Sequence, residues 1–87
     1  MTDKEIYDRD ISFINKSDII IADVTIPSLG VGYEIAYAEK LDKKIFCLYY
    51  QEEGKKVSAM ISGSPFLKVF SYKSEDEILV ILKDVFK

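Results

Sequence analysis

The sequence has no histidine and one cysteine, Cys47. A histidine-based triad is thereby excluded, as is the usual cysteine–histidine zinc site, and no metal or other cofactor is expected. One cysteine cannot close an intrachain disulfide. Cys47 lies inside the apolar run Ile45-Phe46-Cys47-Leu48, which predicts a buried core thiol rather than a reactive one. Acid–base chemistry therefore falls to carboxylates, tyrosines and lysines. No apolar run is long enough to cross a membrane and no signal pattern opens the chain, so a soluble, cytoplasmic protein is expected. Positive charge is not in excess either: 12 basic against 15 acidic residues leave a net charge of −3. That balance argues against a binder of nucleic-acid polymers.

What is present is apolar and well patterned. Hydrophobic residues make up 48% and aromatics 13% of 87 residues, enough for one globular domain over 1–87, near the lower size limit for a self-sufficient core. Lys4 to Lys16 reads as a helix with Tyr7, Ile11 and Ile14 on one stripe and Phe13 beside it; Asp10 sits at the margin of that stripe, where a carboxylate is ordinarily a solvated flank. Asp18 to Val24 is a strand, and its unbroken apolar run predicts burial on both faces of a parallel sheet. A second strand covers Lys44 to Tyr50, a short helical turn Val57 to Ser62, and a third strand Leu67 to Tyr72. Ser74 with Glu77 three residues later predicts a capping box for a last helix.

The order α-β-α-β-(short α)-β-α gives an α/β fold, a three-layer sandwich with a short parallel sheet of about three strands, Rossmann- or flavodoxin-like. There is no internal repeat, linker or low-complexity tract. A strand as apolar as Ile19–Ala22 is expected to be central, yet nothing before Lys4 offers it a partner. The expectation is that another chain completes the sheet or that part of the domain is missing, and a homodimer or higher oligomer follows from the first.

The chain is organised around Pro27-Ser28-Leu29-Gly30-Val31-Gly32-Tyr33-Glu34, between the apolar strand and a helix running from about Val31 to Leu41. A strand, a glycine-bearing loop and a helix start place unpaired amides and the positive end of a dipole where an anion can bind. Ser28 adds a hydroxyl and Gly30 and Gly32 let a ligand approach the main chain. Glu34 in the same first turn is either a plain complement to the dipole or a functional carboxylate, and a lone Gly-x-Gly favours the plain role. Lys43-Lys44 and Lys55-Lys56 read as solvated loop charges, Tyr49 and Tyr50 as packing or rim residues, Met60 as core or interface, and Asp23 as a structural group at a strand end.

Asp10, the strand Ile19-Ile20-Ile21-Ala22-Asp23-Val24-Thr25, the run Pro27–Glu34 and Val57-Ser58-Ala59-Met60-Ile61 occur in this order and spacing. Together they resemble the nucleoside 2-deoxyribosyltransferase superfamily, and within it the 2′-deoxynucleoside 5′-phosphate N-hydrolases, which cut the N-glycosidic bond of deoxynucleoside monophosphates. The resemblance raises Glu34 to the family nucleophile, which attacks C1′ and forms a covalent deoxyribosyl ester that water opens. It implies that Asp10 meets the base and assists its departure, that Ser28, Gly30 and Gly32 bind the 5′-phosphate, and that Ser58 joins the phosphate site of a neighbouring subunit. Transferases of unphosphorylated nucleosides carry acidic residues just before the nucleophile helix. Ser28-Leu29-Gly30 stands there instead, which favours a phosphate ligand.

Family members also begin with a further strand, a loop bearing glycine, arginine and tyrosine, and a helix and strand before the position of Lys4. This chain opens Met1-Thr2-Asp3, so an N-terminally truncated domain is expected, and neither Tyr7 nor Tyr33 takes the position of the family's tyrosine. Three readings follow: a deoxynucleotide N-hydrolase, a truncated non-catalytic module that binds nucleotide and oligomerises, or a nucleoside 2-deoxyribosyltransferase.

Overall fold

The computed structural model describes residues 1–86. The elements are α1 (Asp3–Lys16), β1 (Ile19–Asp23), α2 (Leu29–Lys40), β2 (Lys44–Tyr50), α3 (Ala59–Ser62), β3 (Leu67–Tyr72) and α4 (Glu75–Val85). The strands form one parallel sheet in the order β1-β2-β3, with Ile20 opposite Ile45 and Ile45 opposite Leu67. The α/β alternation expected of the sequence is therefore present. No helix among the described residues is long and apolar enough to cross a membrane.

Period-two alternation sorts the strand residues onto two faces. One face carries Ile20, Ala22, Ile45, Cys47, Leu67 and Val69, which pack with Ile14 of α1, Ile35 and Ala38 of α2 and Ile61 of α3. Cys47 and Ala38 are fully buried at its centre. Ala38 has no side chain beyond Cβ, so α2 can approach β2 closely. The opposite face buries Leu48, while Phe46 and Phe70 stack with ring centroids 6.2 Å apart. Helix α4 packs along β3 and keeps none of its residues fully buried, so this third layer is thin.

Several boundaries differ from those the sequence predicts, each for a local reason. Helix α1 begins on a capping box: the Thr2 hydroxyl accepts from the Glu5 amide at 3.1 Å and the Glu5 carboxylate accepts from the Thr2 amide at 3.0 Å. At α4 only half of the predicted box forms. Ser74 Oγ accepts from the Glu77 amide, but the Glu77 carboxylate turns back to the amide of Lys73. The apolar stripe of α1 buries Ile14 alone, with Tyr7 and Phe13 half or more exposed. The central strand is β2 rather than β1. Strand β1 lies at the edge and pairs on one side among the described residues, leaving Ile21 39% exposed. Its apolarity reports a demand for burial that one neighbour meets only in part.

The C-terminal ends of the strands are tied together by Asp23. Its carboxylate accepts from the Thr25 amide and from the Tyr72 hydroxyl, each at 2.9 Å, linking β1 to β3 across β2. The Thr25 hydroxyl in turn accepts from the Tyr50 amide at 2.9 Å. Burial pushes the Asp23 carboxyl up, but the bonds from Thr25 and Tyr72 outweigh it and hold the group below its ordinary value of 3.8. A depressed folded-state pKa contributes stability above the unfolded value and loses it as pH falls through the folded one. Tyr72→Phe is therefore expected to cost about 0.5–1 kcal/mol at neutral pH, below the usual range for a bond to a charged group because Asp23 is solvent-exposed. Urea titrations should show that cost shrinking as the solution is acidified below about pH 4.

Candidate active site

Where α2 begins decides what its side chains face. Ser28 is extended, at φ −146° and ψ 124°, and its hydroxyl oxygen accepts from the Val31 amide at 3.2 Å. This N-cap starts the helix at Leu29, two residues before the position the sequence predicts, because a serine cap outweighs the poor helix propensity of two glycines. The run Pro27–Glu34 is thus a cap followed by helix rather than an open loop. Gly30 and Gly32 lie in the first turn. Glu34 falls in the second turn, which contains no first-turn acid before it, so complementing the dipole does not account for it. Gly32 donates to the Ser28 carbonyl at 3.1 Å, and among the described residues no protein acceptor meets the amides of Leu29 and Gly30.

Helices α1 and α2 pack against each other with the same spacing on both sides. Tyr7, Asp10 and Ile11 from α1 face Gly30, Tyr33 and Glu34 from α2, both sets at i, i+3, i+4. Between them is an open cleft of about 440 Å³. Both carboxyl-bearing residues are half-buried. Arg9 donates through Nε to Asp10 Oδ1 at 3.1 Å, which holds the Asp10 side chain. The Glu34 carboxyl sits above its ordinary value: burial pushes it up first, the nearby Asp10 charge adds to that, and Arg9 opposes both.

A second, larger cavity of about 850 Å³ lies on the other side of the same helix start. Ser28 and Gly32 line it from α2, and Ser58, Met60, Lys55 and Lys56 line it from the β2–β3 connection. Leu29, 97% exposed, borders both concavities. The six residues singled out in the sequence therefore divide. Asp10, Glu34 and Gly30 meet in the cleft, while Ser28, Gly32 and Ser58 meet in the cavity next to it.

Two groups of residues escaped the sequence reading. Lys55 and Lys56 are indeed exposed, but they stand on the cavity wall beside Ser58. Lys55 is paired with Glu52 at 2.7 Å, whereas no partner meets Lys56 among the described residues. Their place depends on how the loop folds back, which no local pattern reports. Tyr7 and Tyr33 are the others, and here a signal existed: Tyr7 stands one helical turn before Asp10, and Tyr33 one residue before Glu34. Met60 is 82% exposed and so is not a core residue. The glycines also differ in what they are for. A Cβ on Gly63 would meet the Ala59 carbonyl oxygen at 2.8 Å, so packing demands glycine there. A Cβ on Gly32 would meet nothing within 4 Å, and one on Gly30 only the Ser28 hydroxyl at 3.8 Å, so nothing in the fold requires either. Among the described residues no cluster of carboxylates and thiol is arranged to hold a metal ion.

Two carboxyl groups in one cleft, one of them poorly hydrated, beside free amides at a helix start, suit chemistry at an electron-poor carbon carrying an anionic tail. The sequence pattern of the family described as nucleoside 2-deoxyribosyltransferase matches residues 1–77. The chain belongs to the nucleoside 2-deoxyribosyltransferase family. Its similarity to named members of that family is close. It is 48% identical to the 5-hydroxymethyl-dUMP N-hydrolase of Danio rerio over 98% of this chain and 61% of that protein. It is 44% identical to the protein of the same name from Branchiostoma floridae, over 94% of this chain and 80% of the relative. For the Mus musculus protein of that name the identity is 39%, over 98% of this chain and 50% of the relative. These relatives place the chain in the N-hydrolase branch of the nucleoside 2-deoxyribosyltransferase family. The chain spans about three fifths of the length of the first of them.

The charge coupling in the cleft is directly measurable. Asp10→Asn removes a negative neighbour, so the Glu34 carboxyl is expected to titrate at lower pH than in the parent protein, and Arg9→Ala should move it the other way. Carbon-detected NMR of the Glu34 side chain follows both shifts. An unmoved midpoint in Asp10→Asn would show that the two groups do not share the cleft.

Proposed function

We propose that this chain carries the carboxylate pair and part of the phosphate site of a 2′-deoxynucleoside 5′-monophosphate N-hydrolase. The observation that carries the reading is the meeting of Asp10 and Glu34 in one cleft beside the unpaired amides of a helix start. A Glu34 oxygen attacks C1′ of the deoxyribose as the C1′–N bond to the base breaks, giving a glutamyl ester. Asp10 delivers a proton to the departing base and then takes one from the water that opens the ester, releasing deoxyribose 5-phosphate. Poor hydration of Glu34 serves this step, since the ionised carboxylate gains more from positive charge building at C1′ than a well-solvated one would.

The 5′-phosphate is received by the Ser28 hydroxyl and the Leu29 and Gly30 amides, with Gly32 leaving the main chain open. In a homodimer or larger unit, which the family resemblance implies, Ser58 joins the phosphate site of the second copy, although within one chain it already lines the same cavity as Ser28 and Gly32. The unpaired Lys56, two residues before Ser58, brings a positive charge to the same cavity. The names of the relatives support a deoxynucleoside monophosphate as substrate.

Incubation with a panel of deoxynucleoside monophosphates, followed by chromatography for free base, tests the proposal. Base release is expected from the parent protein and none above background from Glu34→Gln, while Asp10→Asn should slow it by roughly 10²–10⁴-fold. Equal rates in parent and Glu34→Gln would refute the mechanism. The cleft is open on one side. That favours a second reading, a nucleotide-binding module without turnover, recognised by protection from heat with no base released. Base exchange between unphosphorylated nucleosides would instead mark a transferase.

Gly32 offers a separate check. Alanine there is expected to stabilise the fold by about 0.5–1 kcal/mol, because a helical glycine is replaced at a site with room for a methyl group. The same change should weaken binding of deoxyribose 5-phosphate, measured by calorimetry. A more stable protein with undiminished affinity would remove Gly32 from the phosphate site.

A further inference from the structure

Tyr7 and Tyr33 have no part in the mechanism above, yet they line the same cleft as its two carboxyl groups. Their rings meet edge to face, with centroids 6.2 Å apart at 62°, and their hydroxyl oxygens lie 3.5 Å from each other. Neither belongs to the main core, and the side chains stay 50% and 57% exposed. Two large aromatic residues are thus held against each other at the rim of a polar site, with much of their ring surface left open.

Their positions tie them to the reacting groups. Tyr33 directly precedes Glu34, so its ring borders the place where the sugar carbon must come. Tyr7 stands one helical turn before Asp10 on α1, and the side chain of Ile11 continues the apolar lining beyond it. A ligand that fills this cleft needs a flat face for the rings and a polar edge for Asp10. A planar heteroaromatic base has both, and it is the leaving group of the proposed reaction. We infer that Tyr7 and Tyr33 are specificity-determining residues, forming the wall against which the base of the deoxynucleotide packs. The inference rests on the N-hydrolase reading and adds to it the residues that recognise the base.

The competing role is a latch: the tyrosine pair could serve only to hold α1 on α2. The two roles separate when a ligand with a base is compared with one without. The probes are deoxyuridine 5′-monophosphate and deoxyribose 5-phosphate, measured by calorimetry on Glu34→Gln protein so that nothing turns over. Stacking of a base on an aromatic side chain is ordinarily strong enough that Tyr7→Ala or Tyr33→Ala should weaken the nucleotide by about tenfold or more. Affinity for deoxyribose 5-phosphate should stay within about twofold, since it has no base to stack. Tyr7→Phe and Tyr33→Phe keep the rings and should bind the nucleotide nearly as the parent does, although they lose the contact between hydroxyls.

Equal weakening of both probes by the alanine variants would show a latch and overturn the inference, as would no weakening of either. A parent protein that binds both probes with the same affinity gains nothing from the base, which refutes the wall and leaves the phosphate site standing. A parent that binds neither probe refutes the N-hydrolase reading and the wall with it.

Discussion

The candidate site depends on the phase of one helix. Ser28 caps α2 through its hydroxyl, and Ile35 and Ala38 lock the same helix onto the sheet. Successive residues of an α-helix point about 100° apart, so turning α2 by one residue would carry Glu34 out of the cleft and bring Tyr33 or Ile35 into its place. The cap and the buried pair act at opposite ends of the Gly30–Glu34 segment and agree on one phase. The cap alone is worth about 1 kcal/mol in comparable helices, while burying an isoleucine contributes more. Packing therefore sets the phase, and the cap determines how early the helix begins and which amides remain free.

The same packing explains how carboxylates come to share a half-apolar cleft in so small a domain. Asp10 and Glu34 sit on the facing sides of α1 and α2, each next to an isoleucine (Ile11 and Ile35), so folding draws them partly out of water without burying them. Full burial of two like charges would drive one to take up a proton. Half-burial with Arg9 beside Asp10 lessens that cost, and the Glu34 carboxyl sits above its ordinary value through burial first and the Asp10 charge second.

Much of this was legible in the residues. The alternation of apolar runs with helical stripes fixed the element order, and parallel pairing followed from it. Cys47 was readable as core because its neighbours are apolar on both sides. Asp10 and Glu34 were marked by the resemblance, and the matched spacing of 7, 10, 11 with 30, 33, 34 holds the geometry that joins them. The start of α2 was not legible, because glycine's low propensity argues for a loop while the competing cap acts through one hydrogen bond. Nor was the edge position of β1: apolarity tells that a strand wants covering, not which strand lies beside it. The nearness of Lys56 and Ser58 to Ser28 depends on how the connection after β2 folds back, and no short-range pattern records that.

The division of the first turn of α2 between two concavities has an electrostatic consequence. Gly30 opens to the carboxylate cleft and Gly32, some 200° further round the helix, to the cavity with the serines and Lys56. A phosphate carries between one and two negative charges at neutral pH. Placed beside Glu34 it would raise that carboxyl further and favour its neutral form, which could not attack C1′. In the proposed complex, with Leu29 between them, the anionic tail would lie against hydroxyls, amides and an ammonium, and only the sugar would reach over to the carboxylates. In that proposed complex, glycine on both sides of a single turn would permit so short a bridge, because a side chain at either position would project into the space the ligand crosses.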